Sequence, residues 1–135
     1  MDVRGSLTEA IKKALSELTL DLSLDEIQLE RPANPDHGDW STNIALAISK
    51  TLNRNPRDLA SEIAATLEHQ SPEHVEKIEI AGPGFINFKL EDSWLHNVLT
   101  QVVDAGTEDW ARHQIGENKK VIVEFVSANP TGPLH

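Results

Sequence analysis

The 135 residues contain no cysteine, which excludes disulfides, thiolate metal sites and cysteine nucleophiles together. No apolar run is long enough to cross a bilayer, and the first residues lack the charged-then-apolar layout of a secretory signal. A cytoplasmic protein is therefore expected. Basic residues are scarce as well, 12 against 22 acidic ones, for a formal net charge of −10. Nucleic-acid binding draws mainly on the neutralisation of phosphate, so this balance disfavours a general nucleic-acid binder and confines any such contact to a small patch. Internal repeats and low-complexity tracts are absent too.

What remains is an ordinary globular composition, 39% apolar and 25% charged, with enough length to bury a core. Ser6 and Glu9 form a potential capping box. Leu7, Ile11, Ala14, Leu15 and Leu18 recur at helical spacing, which predicts an amphipathic first helix over about residues 6–19, packed on a sheet. A short strand around Ile27 to Glu30 leads into a Pro-, Asn-, Asp- and Gly-rich loop from Arg31 to Asp39 that is expected to cap a second helix. Ile44, Ala45, Ile48 and Leu52 form the buried stripe of that helix. Asn55-Pro56 stops it and starts a third, marked by Leu59, Ile63 and Leu67. Val75 to Ala81 and Phe85 to Leu90 flank Gly82-Pro83-Gly84 and read as a hairpin. Leu95, Val98, Leu99, Val102 and Val103 predict a fourth helix, capped by Asp92 or Ser93, that closes the domain. Gly106 to Lys120 reads as a connector, with a boundary near residue 117.

The second hairpin strand carries an unusual face. Strand side chains alternate, so Ile86, Phe88 and Leu90 share one side while Phe85, Asn87 and Lys89 share the other. If the first set is the core, a phenyl ring, an amide and an ammonium point to solvent. An unstacked base offers a face for the ring, an edge for the amide and a phosphate for the cation. The same pattern also suits a ring tucked beneath a loop and an amide that serves backbone groups.

A second segment of interest is the last one, VIVEFVSANPTGPLH, from Val121 to His135. Its run of Val121, Ile122, Val123, Phe125 and Val126, broken only by Glu124, lacks the alternation of a half-exposed strand and suits an interior parallel strand. Strands of this kind open into ligand-binding loops at their C-terminal ends. The segment reads as the first strand and first loop of a nucleotide-binding sheet whose remainder lies beyond residue 135. Without that sheet, residues 121–126 are expected to disorder, to add to an exposed sheet edge or to pair two copies, the last being a product of truncation.

Other titratable residues carry less. His37 and Asp39 share a turn with no third ligand nearby, which suits turn chemistry rather than a metal site. His69, His74, His96 and His113 show no ligand spacing, and Ser127 has no histidine in a usable local arrangement.

Three segments, taken in order, carry a resemblance: NPDHGDWSTNIA from Asn34 to Ala45, AGPGFINF from Ala81 to Phe88, and VEFVSANPTGPLH from Val123 to His135. Together they resemble the amino-terminal end of bacterial-type arginyl-tRNA synthetases, which are class I aminoacyl-tRNA synthetases. The last segment is the most specific of the three.

The resemblance implies an α+β fold for residues 1–117, with helices layered on a small antiparallel sheet, forming an additional domain that meets the D-loop region of arginine tRNA. It implies that residues 118–135 open a Rossmann-like catalytic domain. By position, Phe85, Asn87 and Lys89 would contact tRNA, Glu124, Ser127 and Asn129 would bind arginine, and His135 would be the first histidine of a HIGH-type motif, catalytic and ATP-binding. Such residue types suit those partners: a carboxylate pairs with a guanidinium or ammonium group, serine and asparagine give directional bonds, and a histidine donates to phosphate oxygens. The parent enzyme would use ATP with Mg2+ to attach arginine to its tRNA, and residues 1–135 alone would be inactive. Two rivals are a free-standing tRNA-binding or protein-interaction module and a fragment of another HxGH-type nucleotidyltransferase.

Overall fold

In a computed structural model of the chain, residues 2–20, 27–110, 116 and 118–125 are described. The chain divides into two units, Met1–Leu99 and Thr100–His135. The first holds an α+β fold.

Helix α1 spans Val3–Glu17 and starts earlier than the Ser6–Glu9 pattern predicts. Asp2 caps it instead, its carboxylate accepting the Gly5 N–H at 2.7 Å. Ser6 and Glu9 therefore lie inside the helix, where Glu9 pairs with Lys12 at 3.0 Å. The apolar stripe is as expected, with Leu7, Ile11, Ala14 and Leu15 buried. It packs principally on α3 rather than directly on the sheet.

Strand β1 is Leu29–Glu30, and the loop after it contains a 3-10 turn at Pro35–His37. That loop does not cap a helix. A strand the sequence pattern did not reveal, β2 at Trp40–Thr42, stands between them. Helix α2, Ile44–Leu52, begins instead beneath the buried Thr42, whose hydroxyl accepts the Ile44 N–H at 3.3 Å.

Helix α3, Pro56–Gln70, starts at the predicted restart: the Asn55 side chain accepts the Arg57 and Asp58 N–H groups. Strands β3, Val75–Ala81, and β4, Phe85–Leu90, form the hairpin. The antiparallel sheet has the order β1-β2-β4-β3, which puts β4 in its interior.

Helices α2 and α3 cover one face of this sheet. Ile86 and Phe88 of β4 are completely buried with Ile48, Leu59, Ile63 and Leu67. Burial of this kind supplies most of the driving force for folding.

Helix α4 spans Ser93–Asp109 and is interrupted at Gly106, where φ is +74°. Its predicted stripe does not close the domain, because Leu95, Leu99 and Val103 are exposed. Residues 121–125 form no strand, since no strand pairs with them among the described residues. Position 126 lies outside the described residues.

Candidate nucleic-acid interface

The register of the sheet defines its outer face. Asn87 pairs across β4 with Ser41 of β2 and Glu79 of β3, while Phe85 faces Ala81 and Lys89 faces Lys77. Alternation on β4 follows the predicted parity, with Ile86, Phe88 and Leu90 turned to the core. Phe85 is 39% exposed, so its ring is not tucked beneath a loop.

Asn87 differs from the expectation of an open polar row, being only 6% exposed. Two features account for this. The loop Asn34–Asp39 folds over the outer face beside it, and the Ser41 hydroxyl donates to Asn87 Oδ1 at 2.7 Å. The amide is thus fixed by a side chain on the neighbouring strand, and its Nδ2 remains the group with donors to offer a ligand.

Asp39 holds that loop in place. Its backbone N–H donates to Phe88 O at 2.8 Å, and its carboxylate accepts the Leu90 N–H at 2.8 Å, continuing the β2–β4 ladder by one side-chain bond. Gly38 permits the approach: it has φ +90°, and a Cβ there would lie 2.6 Å from Phe88 O. Asn34 completes the loop by accepting the Asp36 N–H at 3.0 Å. Asp39 thus bonds within the sheet and its loop, and among the described residues no cluster of three or more His, Cys, Asp or Glu side chains is arranged to hold a metal ion.

Between this loop and the hairpin lies an open concavity of about 370 Å³, lined by Pro35, Asp36, His37, Asp39, Glu79, Asn87 and Lys89 among others. Its charge is mixed. Lys89 Nζ sits 3.0 Å from Glu76, and Lys77 pairs with Glu79 at 2.6 Å. The hydrogen bond that Lys89 donates to Glu76 and the attraction of that carboxylate's charge hold the Lys89 ammonium above the usual lysine range, with Asp39 and Asp92 adding to the effect. Lys89 is thus an ion-paired group rather than a free cation. Exposed pairs of this type are weak and screened by salt, so a phosphate could compete for it.

The hairpin turn is held from the other side. Arg57 donates through Nη1 to Gly82 O, and Gly84 (φ +145°) lies so close to α3 that a Cβ would come within 2.8 Å of Pro56 O. Phe85, the first residue of β4, is therefore displayed from a turn seated on the start of a helix.

The fold thus brings Phe85, Asn87 and Lys89 to one face of one strand. Glu124 is exposed, and Ser127, Asn129 and His135 lie outside the described residues. Pattern reasoning missed Ser41, Asp39 and Glu79 as neighbours of Asn87. The aromatic and β-branched Trp40 and Thr42 were the available signal for β2, but a three-residue strand running straight into a helix leaves almost no alternation to detect.

Residues 5–90 match the family model described as arginyl tRNA synthetase N terminal domain. The chain belongs to that family. Among full-length relatives, the arginine–tRNA ligase of Brucella ovis is 42% identical over 141 aligned positions, covering all of this chain and 24% of that protein. The arginine–tRNA ligase of Acetivibrio thermocellus is 40% identical, covering 98% and 24%. The chain thus spans about a quarter of the length of these curated relatives. Among solved structures, Thermus thermophilus arginyl-tRNA synthetase aligns with a TM-score of 0.59 at 28% identity, over 71% of this chain and 15% of that one. The Plasmodium falciparum arginyl-tRNA synthetase structure shares the fold, with a TM-score of 0.61 at 21% identity over 73% and 18%. The α+β architecture described above is the one these synthetase structures contain, and no helix among the described residues is long and apolar enough to cross a membrane.

Proposed function

We propose that the chain is the amino-terminal, tRNA-positioning part of an arginine–tRNA ligase acting in the cytoplasm. The observation that carries this reading is the presence of an exposed ring, Phe85, and a held amide, Asn87, on the same outer face of β4 in a domain of the synthetase family. The ring offers a stacking surface to an unpaired base of the tRNA D-loop, and Asn87 Nδ2 offers donors to its edge. Lys89 meets phosphate by exchanging its partner Glu76. Contact through so small a patch suits a chain of net charge −10, because it does not depend on a basic surface.

In the parent enzyme, the arginine carboxylate attacks the α-phosphate of ATP, bound with Mg2+, and displaces pyrophosphate. The terminal ribose hydroxyl of the tRNA then attacks the adenylate, forming the ester and releasing AMP. Residues 1–117 act in the second half of this sequence by placing the tRNA. Residues 118–135 open the Rossmann-like catalytic part, with Glu124 pairing to a cationic group of arginine, Ser127 and Asn129 bonding the amino acid, and His135 donating to ATP phosphate. Residues 1–135 by themselves catalyse neither step.

The test is aminoacylation by the full-length polypeptide with each amino acid in turn and ATP. Arginine alone should be esterified to tRNA. Charging with a different amino acid, or none, would overturn the assignment.

A further inference from the structure

An arginine is tied to the hairpin turn from the start of α3. Arg57 stands in the first turn of that helix and donates through Nη1 to Gly82 O. It is exposed, and among the described residues its guanidinium makes no other hydrogen bond and pairs with no carboxylate. The planar fork carries several N–H donors, so one bond to a carbonyl leaves most of its capacity open. The neighbouring cations differ: Arg54 pairs with Glu62, and the two lysines of the hairpin, Lys77 and Lys89, pair with Glu79 and Glu76. Asp58, the next residue in sequence, adds its field to Arg54.

Neither the helix nor the turn accounts for a cation at this position. The N-terminal end of a helix favours negative charge, so an arginine in the first turn of α3 works against the helix dipole. Holding a carbonyl takes one donor, which a neutral amide also supplies. What the position does provide is a fixed cation beside a ring. Phe85 Cδ2 lies 3.9 Å from where a Cβ on Gly82 would stand, so the exposed ring and the guanidinium flank the same turn residue. With Gly84 seated against Pro56 O as well, the turn is anchored to α3 at two points. The guanidinium is held in place before any ligand arrives, which lowers the ordering cost of binding.

We propose that Arg57 binds a phosphate of the tRNA backbone adjoining the base that stacks on Phe85. The inference rests on the reading of Phe85 as a stacking surface and adds to it an electrostatic contact from a different element of the fold. Sites for single-stranded nucleic acid combine aromatic rings for the bases with cations that follow the backbone beside them. Arginine suits that second task, because its planar fork matches two phosphate oxygens. Phosphate need displace no carboxylate from Arg57, as it must from Lys89. In a chain of net charge −10, whose overall field repels a polyanion, an unpaired cation beside the ring favours approach at that point.

The experiment is equilibrium binding of arginine tRNA to the full-length polypeptide across a series of salt concentrations, for the wild type, Arg57→Gln and Arg57→Lys. Arg57→Gln should weaken binding about tenfold at low salt and lower the slope of log K against log salt by roughly 0.7–1, the value of one phosphate contact. Arg57→Lys should keep the wild-type slope. Weaker binding with an unchanged slope would mean that Arg57 only steadies the turn, and would overturn the proposal, as would unchanged affinity. A tRNA with neutral methylphosphonate linkages on both sides of the D-loop base reads the same contact with the protein unaltered. The wild type should show the lowered slope on that tRNA, and Arg57→Gln should lower it no further; a full wild-type slope there would also overturn the proposal. Phe85→Ala, measured alongside, separates the two contacts: if it leaves tRNA affinity unchanged while Arg57→Gln lowers the slope, base stacking fails and the phosphate contact stands.

Discussion

Ser41 and Asn87, 46 positions apart, are joined by a 2.7 Å hydrogen bond across the β2–β4 ladder, and that bond decides which end of the Asn87 amide remains for a ligand. Removing the donor with Ser41→Ala leaves the oxygen of the buried Asn87 side chain without its partner. About 1 kcal/mol of stability should be lost. In the full-length enzyme the same change should raise KM for tRNA while leaving KM for arginine and ATP alone; a steady-state aminoacylation series varying each substrate separates the two effects.

The loop that walls the concavity depends on Asp39 and Gly38. Asp39→Ala deprives Leu90 N–H of its acceptor and should cost about 1–3 kcal/mol in urea unfolding. Gly38→Ala should cost at least as much, because the left-handed backbone and the 2.6 Å approach to Phe88 O act together. Unchanged midpoints for both variants would mean that the loop is not clamped as described.

Phe85 and Phe88 are three residues apart with opposite duties. Phe88→Ala should destabilise the domain by about 3–5 kcal/mol, since its ring is completely buried. Phe85→Ala should change stability by far less, as expected of an exposed side chain. Thermal unfolding of the two variants side by side gives the contrast directly.

How much of this could be read from the sequence follows from the range of each interaction. Helix stripes in α1, α2 and α3, the Asn55-Pro56 restart and the hairpin are set by local spacing and turn chemistry, and each stands within the predicted segment. The helix start at Asp2 was missed because two adjacent capping patterns compete and only the folded backbone shows which is used. Burial of Asn87 was hidden because it arises from a loop about 50 positions away folding onto β4, and nothing in a strand's own alternation reports that. The exposed stripe of α4 was misread for a related reason: periodicity identifies an apolar face but not what covers it.

The ion pair between Lys89 and Glu76 yields a test with two signs. Lys89→Ala should weaken tRNA binding modestly, whereas Glu76→Gln should strengthen it by releasing the ammonium and removing an anion. The pair's own contribution has a defined pH window. Because the Lys89 pKa is raised in the folded chain, its stabilisation is present below the ordinary lysine range and lost as pH rises through the folded value. Filter binding at several salt concentrations, together with unfolding from neutral to strongly alkaline pH, checks both statements.

The most direct test is a double-mutant cycle in the full-length enzyme, pairing Phe85→Ala with a tRNA that lacks the contacted D-loop base. Stacking on one aromatic is worth about 1–3 kcal/mol, so Phe85→Ala should reduce kcat/KM for intact tRNA by roughly 5- to 150-fold. With the base-deleted tRNA, the wild-type enzyme should already show that loss and the variant should show no more. Equal additional defects with both tRNAs would contradict a contact between Phe85 and that base.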